Sequence, residues 1–397
     1  MLGAASLTAI LVGIVAPAFG PELGVTDADL GIAASGFWLA AAASAWLIAP
    51  HVDRWGWRRS ATVGMVLATL GQLGLATVLR GPLTLVLLMV WVGLTYGVVV
   101  PTSNVALAEE VPVRRHGLLL GMKQGAAPVG GVIAGAMAPL AVAIDWRWAF
   151  VGAATVTLVA LLNTRLVRPA ASAASRRVQG GPPSAPVRRM ALLVAAGAGL
   201  ATTSIAVISA YSARTLVASG LSLHAAGVVV MVASVTSLAT RLSSGWWADR
   251  RQSDGFGAAA ILVLAGCLGM VLVSTGRSEV VVPGVVLTFA AGWGWPALVL
   301  LGTLRHAAAD MAYVASRFQV GTGIGGACGP AAFGLLVSEH GLRTGWIAAA
   351  ATAVPAGLVI LAAGRLVRGA RAVRTEQTSE QASEQASGRR ASRSECR

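Results

Sequence analysis

One cation in the sequence has the type and placement needed to bind an anion. Lys123 is the only lysine of the chain and stands about six residues into a long apolar run. A lysine is a compact donor whose hydration can be exchanged for a carboxylate or a small oxyanion. Gln124 and Gln319 occupy equivalent positions in two similar segments, MKQGAAPVGG and RFQVGTGIGG, and predict paired amides beside the cation. Alternatively, Lys123 extends along its aliphatic stem to a cytoplasmic surface.

Other polar or amphipathic side chains inside apolar runs are weaker candidates for contact with a bound solute. A single tyrosine, tryptophan or asparagine in such a run is more often packed against a neighbouring helix than in contact with a ligand. The candidates are Tyr96 and Asn104 in the fourth run, Tyr211 in the seventh, and Trp293 and Trp295 in the tenth.

Acidic residues are absent from the interiors of the apolar runs. A buried carboxylate that binds a cation or relays protons is therefore not predicted. The histidines are scattered, and the three cysteines lack the spacing of a metal site or of a disulfide framework. Neither a metal nor another cofactor is expected, and catalysis is not predicted.

Two similar loops stand half a chain length apart, and each places Asp-Arg where an apolar run meets water. A carboxylate at the C-terminal end of a helix faces the negative end of the helix dipole, so it needs a partner. Arginines of the same loop, or N-terminal amides of a helix in the other half of the chain, are the two candidate partners. Arg241 stands in register with the second copy at four-residue steps, which favours a structural pair there over contact with a solute. The predicted conformational gate consists of Asp53, Arg54, Gly56, Arg58, Arg241, Gly245, Asp249 and Arg250.

The composition indicates a chain that is dissolved mostly in lipid. Of its 397 residues, 56% are hydrophobic and 12% are charged, and the mean hydropathy is +0.73. Soluble domains have about a quarter charged residues. The net charge of +14 comes from arginines confined to short segments between apolar runs, so no basic face is predicted for a nucleic acid.

Apolar stretches of about 20 residues, the length that crosses a bilayer, predict twelve transmembrane helices in two duplicated bundles of six. The first stretch has neither a basic leading region nor a cleavage site, which favours a retained helix over a signal peptide. The predicted units are an N-terminal bundle over 1–166, a basic linker over 167–189, a C-terminal bundle over 190–366 and a disordered polar tail over 367–397. The fold class is therefore an all-α membrane protein.

The distribution of arginines predicts the orientation of the chain, because basic residues accumulate in cytoplasmic loops. With the N-terminus inside, nearly all arginines fall in cytoplasmic segments. The exceptions are Arg80, Arg147, Arg214, Arg277 and Arg343. Both termini and the linker are therefore expected on the cytoplasmic side of the cytoplasmic membrane.

The repeated loop resembles the signature loop of the major facilitator superfamily, G-x-x-x-D-R-x-G-x-R/K. The fit holds at the gate positions, apart from Arg241, and departs at Ala49, at Trp57 and after Arg250. The resemblance implies a transporter in which two bundles rock around a site at the membrane midplane. The segments GLLLGMKQGAAPVGG, GWGWPALVLLGTLRH and FQVGTGIGGACGPAAFG are similar to the cyanate-permease-like and nitrate/nitrite-porter-like branches of that superfamily.

These observations favour a secondary transporter of a small organic or inorganic anion. The alternatives are an exporter of drugs or neutral metabolites and a membrane receptor or scaffold that transports nothing. The expected partners are a small-molecule substrate and the lipid bilayer, with the chain a monomer. Protons are a candidate coupling ion, and they would act through Lys123, the substrate or edge groups such as Asp29 and Asp145.

Overall fold

The computed structural model describes residues 1–110, 116–166, 183–251, 253–306 and 310–395, and within these ranges all regular structure is helical. The N-terminal half contains six long helices and the C-terminal half contains the rest. Their bounds are α1 Leu2–Leu23, α2 Asp27–Trp55, α3 Trp57–Thr77, α4 Pro82–Glu110, α5 His116–Ala143, α6 Trp146–Leu166, α7 Ala185–Ala218, α8 Leu223–Arg251, α9 Phe256–Val273, α10 Ser278–Leu287, α11 Pro296–His306 and α12 Met311–Glu395.

Eleven helical segments of the described chain are long and apolar enough to cross a membrane. The last of them covers 56 residues, from Tyr313 to Arg368, which is more than twice the length of one span. Gly341 breaks it with φ 79° and ψ 169°, a conformation open essentially only to glycine. The break divides the segment into two crossings, and the predicted twelve-helix, all-α membrane architecture is confirmed.

The sequence prediction and the structure differ at the two polar segments. The last residues of the predicted linker belong to α7, which begins at Ala185, and the proline in its first turn suits a helix start there. Most of the linker, 167–182, lies outside the described residues. The backbone is helical through the predicted disordered tail to Glu395, in a stretch rich in the helix formers Glu, Gln, Ala and Arg.

Small residues allow the helices to pack closely, as membrane helices require. Within the C-terminal half, the α12 residues Gly325 and Gly329 lie against the backbone of Gly199 and Thr203 in α7, where a Cβ atom would collide. The glycines of the segment FQVGTGIGGACGPAAFG thus serve close helix packing.

The same device joins the two halves along a surface that we call the outer seam. It lies at the end of the molecule away from the chain termini, where α1 meets α7, α2 meets α12 and α5 meets α8. A Cβ atom added to Gly13 would collide with Ser209 and Ala210, and one added to Gly31 would collide with the backbone of Pro330.

Hydrogen bonds complete the outer seam. The Tyr211 hydroxyl donates to the backbone oxygen of Asp27 at 2.6 Å, and the Ala331 amide donates to Ser35 Oγ at 2.9 Å. Arg214 Nε lies 3.3 Å from Asp27 Oδ1. The two halves are therefore joined at this end by polar contacts as well as by close helix packing.

Candidate functional site

A cavity lies between the halves, near the middle of the long helices. Its volume is about 160 Å³, which is the space of roughly ten water molecules. Its walls come from α1, α2, α4 and α5 of the N-terminal half, and from α7, α8, α12 and the region between α10 and α11 of the C-terminal half. Six of the eight residues predicted to contact a solute line it, namely Lys123, Gln124, Gln319, Tyr96, Trp293 and Trp295.

Lys123 and Arg241 bring two cationic side chains to this cavity from opposite halves. Lys123 lies on α5 and is half-buried, and Arg241 lies on α8 with only 4% of its surface exposed. Arg241 Nη1 donates a hydrogen bond to the backbone oxygen of Gln124, the residue that follows Lys123. Both cations therefore meet the cavity beside the same turn of α5.

Arg241 lies farther from the second repeated loop than its predicted place in the conformational gate implies. The four-residue register with Asp249 is real, but it extends along a continuous α8 and places Arg241 two helical turns, about 12 Å, from the loop. Its guanidinium lies 6.0 Å from the centre of the Trp293 ring. The structure thus places Arg241 in the central cavity and not among the loop residues.

Several buried polar atoms on residues that line the cavity lack a hydrogen-bond partner within the described part of the chain. They are Arg241 Nε, Ser234 Oγ, Ser237 Oγ and Trp295 Nε1, and each belongs to a residue at most 4% exposed. Buried polar groups are nearly always paired in folded proteins. Four such atoms on residues that line one cavity leave hydrogen-bonding capacity there that the described chain does not use.

An aromatic wall crosses the cavity and consists of Phe37, Trp38, Tyr96 and Trp293. Neighbouring ring centres are 5.3–6.4 Å apart, within the range of favourable aromatic pairs. Trp38 comes from α2, and Trp293 comes from the opposite half, with the two ring planes 20° apart. Gly326 allows this approach, because a Cβ atom there would stand 2.5 Å from Trp38 Cδ2.

The tenth span is broken where it reaches the cavity. α10 ends at Leu287, a π-helical turn covers Thr288–Gly292, and α11 begins at Pro296. Gly292 and Gly294 have low helix propensity. Pro296 suits the first position of a new helix. The non-helical stretch carries Trp293 and Trp295 into the cavity wall. Broken helices at midplane sites are a recurring feature of transporters.

Two predicted contact residues are not among those that line the cavity. Tyr211 is fully buried in the outer seam, where its hydroxyl bonds Asp27 and its ring packs 4.5 Å from that of Phe333. An amphipathic residue near the outer end of a span is equally suited to an interface between halves, and the structure places Tyr211 there. The side chain of Asn104 lies outside the described residues.

Cavity residues that the sequence analysis missed are mostly apolar or small. They include Phe37, Trp38, Ser234, Ser237, Phe289 and Phe318. Ser234, Ser237 and Arg241 recur at spacings of three and four on α8, so they share one helix face. That spacing was the available signal.

The first repeated loop is built around Gly56, which ends α2 with φ 77°, a left-handed conformation that favours glycine. Arg54 is exposed, and the Arg58 guanidinium lies 5.2 Å from the centre of the Trp57 ring. The side chain of Asp53 lies outside the described residues.

The second repeated loop shows where one aspartate finds a partner. Asp249 Oδ1 accepts a hydrogen bond from Arg305 Nη2 at 3.0 Å, and Arg305 also donates to the backbone oxygens of Ala248 and Ser253. Arg305 lies in the last turn of α11, in the same half, a source that the sequence analysis did not consider. Gly245 is buried, and the Arg250 guanidinium lies 4.1 Å from the centre of the Trp246 ring.

The family model for the major facilitator superfamily matches residues 1–307. The chain belongs to the major facilitator superfamily. This member of the superfamily is therefore a multi-pass membrane protein that carries small-molecule substrates by secondary transport, and it is not an enzyme. The family thus supports secondary transport over the receptor or scaffold alternative.

Solved structures give the same fold. A bacterial homolog of the human lysosomal transporter Spinster, in an inward-facing and unoccupied conformation, superimposes with a TM-score of 0.70 at 15% identity, covering 93% of this chain and 95% of that one. Its occupied form gives 0.70 at 16% identity, with 92% and 95% covered. A point mutant of the nucleoside transporter NupG gives 0.70 at 13% identity, with 91% and 98% covered. A search of the curated proteins finds no match.

Proposed function

We propose that this transporter carries an anion and that Lys123 and Arg241 bind it in the central cavity. The observation that carries the proposal is the charge of the cavity: it is lined by these two cations and, within the described chain, by no aspartate or glutamate. Gln124 and Gln319 also line the cavity, and their amide groups would contribute to binding the anion, in line with the repeated segments.

The energetics of buried charge support this assignment. Removing an ion from water costs several kcal/mol unless a partner of opposite charge replaces the lost hydration. Arg241 is 4% exposed, and no described acidic residue forms an ion pair with it. Neutral oxygen acceptors such as the Gln124 carbonyl offset only part of that cost. An anionic substrate would offset the rest of the cost of removing Arg241 from water.

The resemblance to the cyanate-permease-like and nitrate/nitrite-porter-like branches also supports an anion. The proposed transporter is a monomer in the cytoplasmic membrane, with the linker and both termini inside, as the arginine distribution favours. If protons drive transport, the titrating group is Lys123, the substrate or an edge residue such as Asp29 or Asp145.

A binding and uptake experiment tests the proposal. Purified protein is first screened by thermal shift against anionic, neutral and cationic metabolites, and hits are measured by proteoliposome uptake. Lys123→Ala and Arg241→Ala should each weaken binding of the anion by about 30-fold or more, since truncating one partner of a buried charge pair costs 2–5 kcal/mol. Arg277→Ala is the control, because that side chain is 78% exposed in an outer loop.

Arg241→Gln and Lys123→Gln accompany the alanine variants, because they keep much of the side-chain volume and a polar end group. Melting of the protein without ligand shows whether each variant is folded. Affinities of Lys123→Ala and Arg241→Gln within threefold of wild type, or hits confined to neutral or cationic compounds, would overturn the proposal in favour of an exporter of neutral metabolites or drugs.

A further inference from the structure

We infer that the substrate is an aromatic monocarboxylate, with its carboxylate at Lys123 and Arg241 and its flat body against the aromatic wall. The inference rests on the proposed anion transport and narrows it, because it excludes small inorganic anions such as nitrate and cyanate as the preferred substrate.

The cavity is larger than a small inorganic anion requires. Space for roughly ten water molecules exceeds what a three- or four-atom anion fills. A small anion would leave most of that space hydrated, and the hydration would weaken its attraction to the cations. A molecule with a ring displaces that water and leaves the charged end in a drier environment.

The charged end of the cavity fits a single carboxylate. Arg241 Nη1 bonds the carbonyl of Gln124, next to Lys123, so the two cations converge on one turn of α5 and do not mark opposite ends of a long dianion. Arg241 Nε and the hydroxyls of Ser234 and Ser237 are unpaired within the described chain and share a face of α8. These donors can be satisfied by the two oxygens of one carboxylate.

The aromatic wall begins beside that charged end. The centre of the Trp293 ring lies 6.0 Å from the Arg241 guanidinium. The Trp38 ring is next to that of Trp293, and the two ring planes are 20° apart. Tryptophan faces favour flat π systems over saturated rings of the same size. Because Trp38 and Trp293 belong to opposite halves, a flat solute placed here contacts both bundles at once.

A matched series of compounds tests the inference by calorimetry on the purified full-length protein in lipid nanodiscs. Benzoate has the predicted charge and shape. Cyclohexanecarboxylate keeps the charge without the flat ring, benzamide keeps the flat ring without the charge, and nitrate and cyanate keep only the charge. Benzoate should bind about 2- to 12-fold more tightly than cyclohexanecarboxylate, and far more tightly than benzamide, nitrate or cyanate.

Variants of the wall provide a second measurement. Trp293→Leu and Trp38→Leu should abolish the preference for benzoate over cyclohexanecarboxylate while both carboxylates still bind. Trp46→Leu is the matched control, because Trp46 lies on α2 like Trp38 but is 78% exposed, and it should leave the preference unchanged.

The outcomes separate the inference from the proposed function. Binding of nitrate or cyanate that depends on Arg241, without benzoate binding, overturns the aromatic substrate and leaves anion transport standing. Equal affinity for benzoate and cyclohexanecarboxylate, or an unchanged preference in both tryptophan variants, also overturns it. Benzamide that binds as tightly as benzoate overturns both, and no binding of any carboxylate overturns the inference.

Discussion

The outer seam and the central cavity are parts of one interface between the halves, yet their chemistry is opposite. In the seam, glycines bring backbones into contact, and polar groups such as the Tyr211 hydroxyl and Ser35 Oγ have partners across the interface. In the cavity, aromatic rings from both halves line the walls, and donors such as Arg241 Nε and Ser234 Oγ have no partner in the described chain. The seam is complete by itself, whereas the cavity leaves donors that a bound solute could pair.

This difference suits a transporter that works by alternating access. A seam that forms all of its contacts without a ligand can close whether or not the cavity is filled. A cavity with unsatisfied donors favours the occupied state, and the ligand shifts the conformational equilibrium only by its differential affinity for the two arrangements. Substitutions in the seam, in its polar contacts and in a loop outside both regions test this difference.

The largest effect is expected from Gly31→Leu in the seam. Its side chain would collide with the Pro330 backbone, and overpacking of this kind costs about 1–3 kcal/mol. The closed state of the outer end should lose roughly 5- to 150-fold in population. Labelling of a cysteine placed in the outer end of the cavity should therefore rise, and uptake should fall.

The control for this variant is Gly257→Leu, since a Cβ atom there meets nothing within 4 Å. If outer labelling were unchanged in a folded Gly31→Leu protein, the seam would not control access to the outer end of the cavity.

A smaller effect is expected from Tyr211→Phe. The change removes the hydroxyl that donates to Asp27 across the seam at 2.6 Å, and a hydrogen bond contributes about 0.5–1.5 kcal/mol net. Outer labelling should rise about 2- to 12-fold, while substrate affinity in the cavity stays within twofold. If Tyr211 were instead a contact residue for the substrate, as the sequence analysis proposed, affinity would fall and labelling would not change.

The smallest effect is expected from Asp249→Asn in the second repeated loop. The Asp249–Arg305 pair is partly exposed and lies within one half, so its contribution is about 0.2–1 kcal/mol. The uptake rate should fall by no more than about fivefold, with normal expression and unchanged substrate affinity. Glu279→Gln serves as the control, since Glu279 pairs with Arg277 at the exposed start of α10. A wild-type uptake rate in Asp249→Asn would reduce this loop to a topology signal.

The helices could be predicted from the sequence because the bilayer imposes a simple rule. A span needs about 20 apolar residues with all backbone groups paired internally, and this chain has few charges to obscure the pattern. The position of Lys123, Gln124 and Gln319 at the cavity also followed, since duplicated segments in two related bundles face one axis.

Two features required the tertiary structure. The register of Arg241 with Asp249 indicated a shared helix face, but not that the face enters the cavity two turns above the loop. The break before Pro296 depends on how Trp293 and Trp295 pack between halves, which hydrophobicity does not encode. The Gly-Trp-Gly-Trp-Pro sequence was its only local signal.

The glycine contacts of the outer seam also determine how steeply the molecule can switch. Dispersion between backbones in direct contact loses a quarter to a half of its strength when a gap of about 0.5–1 Å opens. The attraction that closes the outer end therefore has a very short reach. A tilt of the bundles that separates Gly31 from Pro330 by the width of a methyl group removes most of it. Such a contact acts as a threshold, and a solute in the cavity has to do most of this work over the first few ångströms of the movement.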